Sequence, residues 1–322
     1  MKIKKKKSDS LIMCVTPLQM VIAENIIRLN PKQQFDAIVT VYENNDKHKF
    51  YFERLKSVCN NALYLRKDEG VYGFVEYLKI VKESNLESKY ENLYLASIDS
   101  KNFQYFISRD KKAKVYTFDD GTANIISNSL YYSNIKPSFF RRKLLSILGV
   151  KYYMQDIKKK SLMHYTIYKD VPNIVSNTKS ISLYKKEAVK KGAEKTKQVN
   201  IYLGQPLQEI DSHLDNEYIL KLIEKLNIDV YYPHPREKNI PTGNFSIVDS
   251  DLIFEDYIVD FLQKDNDTHI NIYSFTSSAL LNLSSIKDLN LIYIHNEYLY
   301  DRFEYFYTFA KNNFNIHSLK ID

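Results

Sequence analysis

Four short stretches set reactive side chains where strand-like runs end. "VYTFDDG" closes on Asp119, Asp120 and Gly121, and "IYLGQPLQEID" delivers Gly204 into a segment ending at Asp211. "VYYPHPREK" holds His234 between Pro233 and Pro235, and "IYSFTSSALLNL" runs into Thr276, Ser277 and Ser278 before a helical pattern. A carboxylate at such a place can act as a general base, and an imidazole can protonate or hydrogen-bond a phosphate. Hydroxyls and N–H groups at a helix start can hold that phosphate.

Each stretch also has a plain reading. An Asp-Gly pair makes a turn. Adjacent acids on an extended chain point opposite ways, so one can face a cleft while the other holds the loop. Gly204 and Asp211 fit a turn glycine followed by a helix-capping acid as well as a ligand loop beyond a strand. Flanking prolines stiffen the backbone and remove two N–H donors, which presents His234 from a rigid loop, catalytic or merely exposed. A serine N-cap needs no ligand. Metal-dependent sugar transferases usually space their acids as Asp-x-Asp; those at 119 and 120 are adjacent, and no Asp-x-Asp pair is expected at a strand end.

These stretches need a frame of strands. "SLIMCV", "FDAIVTVY", "NLYLASI" and "AKVYTFDDG" alternate with helical patterns in the first part. "VNIYLG", "IDVYYPHP", "HINIYSF" and "NLIYIHN" do so in the last. Near-continuous apolar strands alternating with helices predict parallel sheets covered on both faces. The expected organisation is an α/β chain with one Rossmann-like domain over 1–125, a basic connector over 126–197 and a second Rossmann-like domain over 198–322, the two domains facing a cleft. Within the connector, "FFRRKLLSIL" at 139–148 is cationic and amphipathic. It suits an anionic membrane surface or a helix packed on the core with solvated charges. Nucleic acid ranks last, because no nucleic-acid-binding module pattern is present.

Composition narrows the classes. The 322 residues are 44% hydrophobic and 26% charged with net charge +7, which excludes wholesale disorder. Cys14 and Cys59 cannot build a disulfide framework or a zinc site. The basic start "MKIKKKK" has no long apolar run behind it, and no stretch approaches the ~20 apolar residues of a membrane span. A cytoplasmic protein, soluble or peripherally attached, is expected.

Taken together, "FDDGTAN", "YYPHPRE" and "SFTSS" resemble the acid–acid–Gly, His-Pro and Ser-Ser/Thr motifs of bacterial sialyltransferases. "LIMCVTPLQMVIAENII", "FDDGTANI" and "YLGQPL" narrow the resemblance to glycosyltransferase family 52, the lipooligosaccharide and capsule sialyltransferases, across most of the chain in the same order. The resemblance implies a GT-B fold, CMP-sialic acid as donor, a terminal galactoside as acceptor, inversion, and no metal or other cofactor. It also implies attachment to the inner-membrane surface and a homodimer with exchanged N-terminal domains. By the resemblance, His234 with Pro235, Ser277 and Ser278 meets the CMP phosphate, and Gly204, Gln205, Asp120 and Gly121 line the substrates. Asp211, 23 residues before His234, or Asp119 with its neighbour Asp120 supplies the base. Glu255, placed after a strand, is expected at the cytidine ribose. A UDP-hexose donor, or a non-catalytic scaffold on membranes or polyanions, is the alternative.

Overall fold

Ser10–Cys14 (β1) and Phe35–Val41 (β2) are buried at every position, as strands covered on both faces must be. Thr16 caps the helix between them, Pro17–Leu29 (α1), by accepting from Gln19 N, with proline in its first turn, the arrangement that proline's fixed φ and missing N–H favour. The computed structural model describes residues 7–66, 70–84, 86, 89–135, 137–184, 197–237, 239–265 and 267–321. Contacts within the chain gather into two units, Met1–Leu183 and Tyr184–Asp322.

The first unit holds a seven-stranded sheet among the described residues. To β1 and β2 it adds Asn61–Arg66 (β3), Asn92–Leu95 (β4), Lys114–Phe118 (β5), Ser161–Thr166 (β6) and Thr178–Ser180 (β7), in the order β3-β2-β1-β4-β5-β6-β7. All six pairings are parallel. Asp46–Ser57 (α2), Gly70–Glu83 (α3), Lys101–Arg109 (α4), Phe139–Ile147 (α5) and Met154–Lys160 (α6) complete it. Leu11, Met13, Leu93, Leu95, Phe103 and Phe106 sit in its main core.

The second unit repeats the plan. Lys197–Leu203 (β8), Val230–Tyr232 (β9), Ser246–Ile247 (β10), Thr268–Ser274 (β11), Leu289–His295 (β12) and His317–Lys320 (β13) form a parallel sheet, order β10-β9-β8-β11-β12-β13. Its helices are Asn216–Lys225 (α7), Phe254–Lys264 (α8), Ser278–Leu283 (α9) and Glu297–Phe314 (α10). In both sheets the strand order reverses beside the first strand, at β1/β4 and at β8/β11. Open α/β sheets bind ligands at that switch point, beyond the carboxyl ends of the strands.

The domain boundaries expected from sequence need correction. Residues 126–183 are part of the first unit, not a separate connector, because β6 pairs with β5 and β7 with β6. Lysines and tyrosines hide these strands, whose pairing depends on backbone hydrogen bonds rather than an aliphatic run. Most of the lysine-rich stretch, 185–196, lies outside the described residues. The second unit begins at Tyr184. Helix α2 starts at Asp46, where Asn45 caps it by accepting from His48 N. Cys14 and Cys59 are free thiols, and burial pushes Cys59 up to about 12.

Helix α5 turns most of its apolar residues outward. Leu145 is buried, whereas Phe139, Phe140 and Ile147 are 74%, 82% and 75% exposed. Arg141, Arg142 and Lys143 are exposed beside them.

Candidate functional site

In the first unit the two adjacent acids go separate ways. Asp119 has no exposed surface. Its Oδ1 lies 2.9 Å from His164 Nε2 and 3.4 Å from Asn173 Nδ2, and its Oδ2 accepts from Ile167 N at 2.6 Å. His164, also fully buried, meets Thr117 Oγ1 through Nδ1 at 2.8 Å. Asp119 therefore fastens the loop after β6 to the end of β5. That corrects the expectation of Asp119 as base: a general base must reach the proton it removes, and this carboxylate is sealed and engaged on both oxygens.

Asp120 is the acid at the switch point. Its carboxylate accepts from Gln19 Nε2, from Tyr131 OH and from Ser97, and Asp99 stands nearby. Gln19 comes from the first turn of α1, Ser97 and Asp99 from the loop after β4, and Tyr131 from a short 3-10 turn over Leu130–Tyr132. Burial raises the Asp120 pKa, with the charge of Asp99 adding to it, while the hydrogen bonds from Tyr131, Ser97 and Gln19 work against the rise. Gly121 turns the chain at φ +58°, a conformation glycine adopts without strain. The partners of Asp120 were not evident from sequence. Gln19 was in view in "TPLQ", but its link to residue 120 is made only by the adjacency of β1, β4 and β5.

In the second unit three loops meet at the ends of neighbouring strands β9, β8 and β11. Gln205, two residues beyond β8, accepts through Oε1 from Phe275 N at 3.1 Å, Thr276 N at 2.8 Å and Ser274 Oγ at 3.2 Å, and its Nε2 donates to Thr276 Oγ1 at 3.3 Å. Gln205 is thus a brace on the Thr276 turn, and the N–H groups of 275 and 276 are committed to it. His234 Nδ1 accepts from Arg236 N at 3.1 Å, so the neutral ring carries its proton on Nε2. His234 N donates to Glu237 Oε2 at 2.6 Å. Arg236 reaches Glu209 Oε2 at 2.8 Å. A cavity of about 240 Å³ lies beside these loops, lined among others by Gln205, Pro206, Tyr231, Arg236 and Glu237.

The remaining expected residues divide. Ser277 caps α9, its hydroxyl accepting from Ala279 N at 3.3 Å, and its carbonyl accepts from Tyr293 OH at 2.8 Å. Helix α9 has six residues, and its start offers the hydroxyls of Ser277 and Ser278. Glu255 corrects another expectation. It is 6% exposed, and its Oε1 accepts from Asn282 Nδ2 at 2.6 Å, so it ties α8 to α9 with little surface left for a ribose. Asp211, beyond the 3-10 turn Leu207–Glu209, accepts from His213 N and meets His213 Nδ1, both at 2.9 Å. The His213 backbone N–H first and then its ring lower the Asp211 pKa, and Arg302 adds to this. Against expectation, an Asp-x-Asp pair does follow a strand: Asp249 and Asp251 come just after β10 and are exposed. Among the described residues, no group of three or more His, Cys, Asp or Glu converges on a metal position.

Comparisons with known proteins fit this architecture. The chain is 32% identical over 280 residues to a CMP-N-acetylneuraminate:beta-galactoside alpha-2,3-sialyltransferase of Pasteurella multocida, across 87% of this chain and 88% of that one. It is 32% identical over 306 residues to an N-acetyllactosaminide alpha-2,3-sialyltransferase of Haemophilus influenzae, across 91% and 96% of the two chains. A UDP-glucosyltransferase of Polygonum tinctorium superposes with a TM-score of 0.53 at 10% identity, over 99% of this chain and 86% of that one. That likeness shows the GT-B fold of two Rossmann-like units. The sequence model of Glycosyltransferase family 52 matches residues 32–297, so the chain belongs to that family and is a glycosyltransferase.

Proposed function

We propose that the protein is an inverting sialyltransferase that moves sialic acid from CMP-sialic acid to a terminal galactoside of a lipooligosaccharide or capsule glycan, with neither metal nor cofactor. One observation carries the reading: Gln205 braces the turn at Thr276, just before Ser277 and Ser278, and its backbone shares the Glu237 carboxylate with the loop that presents His234. These are the groups that departure of a single phosphate calls for. The acceptor oxygen bonds to the anomeric carbon as the bond from that carbon to the CMP phosphate oxygen breaks. His234 donates from Nε2 to the departing phosphate, and the hydroxyls of Ser277 and Ser278 hydrogen-bond its oxygens. The acceptor's proton passes to a carboxylate. Asp211, at the β8 side of the same unit, is that base in the family's pattern. The raised pKa of Asp120 favours it as the second candidate, because a base works best with a pKa near the operating pH.

Helix α5 supports work at the inner-membrane surface. Its exposed phenylalanines and adjacent cations match an anionic headgroup layer. No helix among the described residues is long and apolar enough to cross a bilayer. The homodimer that the resemblance implies is read by light scattering.

The test is CMP release from CMP-sialic acid with lactose, with and without EDTA. Release that chelator leaves unchanged supports the reading. Absence of release, or its loss with chelator, overturns it. Thermal shifts compare CMP with UDP, since a bound ligand stabilises the fold; stabilisation by UDP alone points to a UDP-hexose donor.

A further inference from the structure

Glu237 appears in none of the motifs as a reactive group, yet it sits at the centre of the second unit's loops. Its Oε2 accepts from His234 N at 2.6 Å, its Oε1 from Tyr231 OH at 2.8 Å, and the backbone N–H of Gln205 donates to the same carboxylate. The turn closes on itself as well, with Glu237 N donating to His234 O at 2.9 Å. The carboxylate occupies space that only a glycine leaves open, because a Cβ on Gly204 would overlap Glu237 Oε2. The φ of Gly204 is not in the left-handed region, so close approach and not backbone freedom explains that glycine.

We propose that Glu237 is a positioning residue for group transfer. It ties the His234 turn to the Gly204–Gln205 loop, and Gln205 passes the constraint on to Thr276 and the serines. The residue that forms the tie to β8 is thus the one that fixes the imidazole relative to the hydroxyls. This assignment rests on the sialyl-transfer reading for its kinetic consequence, but the tie itself stands on geometry.

The chemistry sets what each substitution does. Glu237→Ala leaves three donors without their acceptor. Glu237→Gln keeps one oxygen to accept from the two backbone N–H groups, and Tyr231 can rotate its hydroxyl to accept from the new amide. Gly204→Ala displaces the carboxylate without removing it. Full-length variants are compared with CMP-sialic acid and lactose as substrates. Glu237→Ala and Gly204→Ala should lose about 10²-fold in kcat, the size of a misplaced catalytic group, with the donor KM little changed, and Glu237→Gln should recover most of kcat.

A second readout needs no turnover. In 15N-histidine protein, His234→Ala identifies the His234 ring signals among the 7 histidines. Wild type should show a ring protonated at Nε2 with Nδ1 as acceptor. Glu237→Ala and Gly204→Ala should show an averaged mixture of tautomers, and Glu237→Gln the wild-type pattern. Wild-type ring signals and wild-type kcat in a folded Gly204→Ala or Glu237→Ala overturn the proposal. If Glu237→Ala does not fold, Gly204→Ala decides. If wild type does not consume CMP-sialic acid, the sialyl-transfer reading has failed, and the ring signals still test the tie.

Discussion

His164 Nε2 lies 2.9 Å from Asp119 Oδ1, and neither side chain has any exposed surface. A carboxylate only accepts, so the ring's Nε2 proton points at Asp119, and a neutral ring then accepts the Thr117 hydroxyl at Nδ1. Asp119→Ala should strand the imidazole and Ile167 N together. Leaving a buried donor without its acceptor costs about 1–3 kcal/mol, and Asp119→Ala does so to both. Urea denaturation should show that loss, while kcat per folded molecule stays near wild type. A large fall in kcat at unchanged stability would restore Asp119 to the chemistry.

The base can be named by pH. Asp120 has its pKa raised and Asp211 has its pKa lowered. If Asp120 takes the acceptor proton, the acid limb of kcat/KM lies above the ordinary carboxylate range and vanishes in Asp120→Asn. If Asp211 does, the limb lies below that range and vanishes in Asp211→Asn. In either case the variant lacking the true base should lose about 10²-fold or more in kcat.

Stability offers an independent check on Asp120. A carboxyl whose folded pKa exceeds its unfolded one contributes stability below the unfolded value and loses it as pH rises through the folded value. The melting temperature of Asp120→Asn minus that of wild type should therefore grow as pH rises from about 4 towards neutrality. A difference that is flat with pH would mean that Asp120 titrates as an ordinary exposed acid.

His234→Ala should cut turnover by ~10²-fold or more, the usual loss of a general acid. Its circular dichroism and melting should change little, because Nδ1 is engaged by the N–H of Arg236 within the same turn. Equal kcat in wild type and His234→Ala would remove the imidazole from the reaction.

Helix α5 gives a prediction separable from catalysis. Each cation near an anionic bilayer is worth about 1 kcal/mol, so Arg141→Gln with Lys143→Gln should weaken partition onto phosphatidylglycerol vesicles roughly thirtyfold. Phe139→Ser with Phe140→Ser should weaken it further. Turnover on soluble lactose should be unchanged in both. Vesicle binding equal to wild type would assign α5 another role.

Strand ends were the legible part of this sequence. Apolar runs such as "FDAIVTV" and "HINIYS" are periodic and uniform, and β2 and β11 formed where they stand. The strand ends also put His234, Gln205 and Thr276 on neighbouring loops, which order in the chain alone could not fix. The division of labour between Asp119 and Asp120 was not legible, because it depends on β6, a strand with His164 at its centre and few aliphatic residues. Glu237 was visible three residues after His234, but a single glutamate carries no signal until Gly204 is seen beneath it. Glu255 misled because its distance from a strand says nothing of Asn282, which donates to it.

The addition of β6 and β7 to the first sheet decides how the polypeptide can be divided. A fragment ending at 125 would leave β5 as a bare, mostly apolar margin and strip Asp119 of its partners, inviting sheet-to-sheet aggregation. In the intact unit that margin is β7, three exposed residues with a lysine at their centre, and short charged borders of this kind resist recruitment of a second chain. A first half meant to stay in solution should run to Leu183.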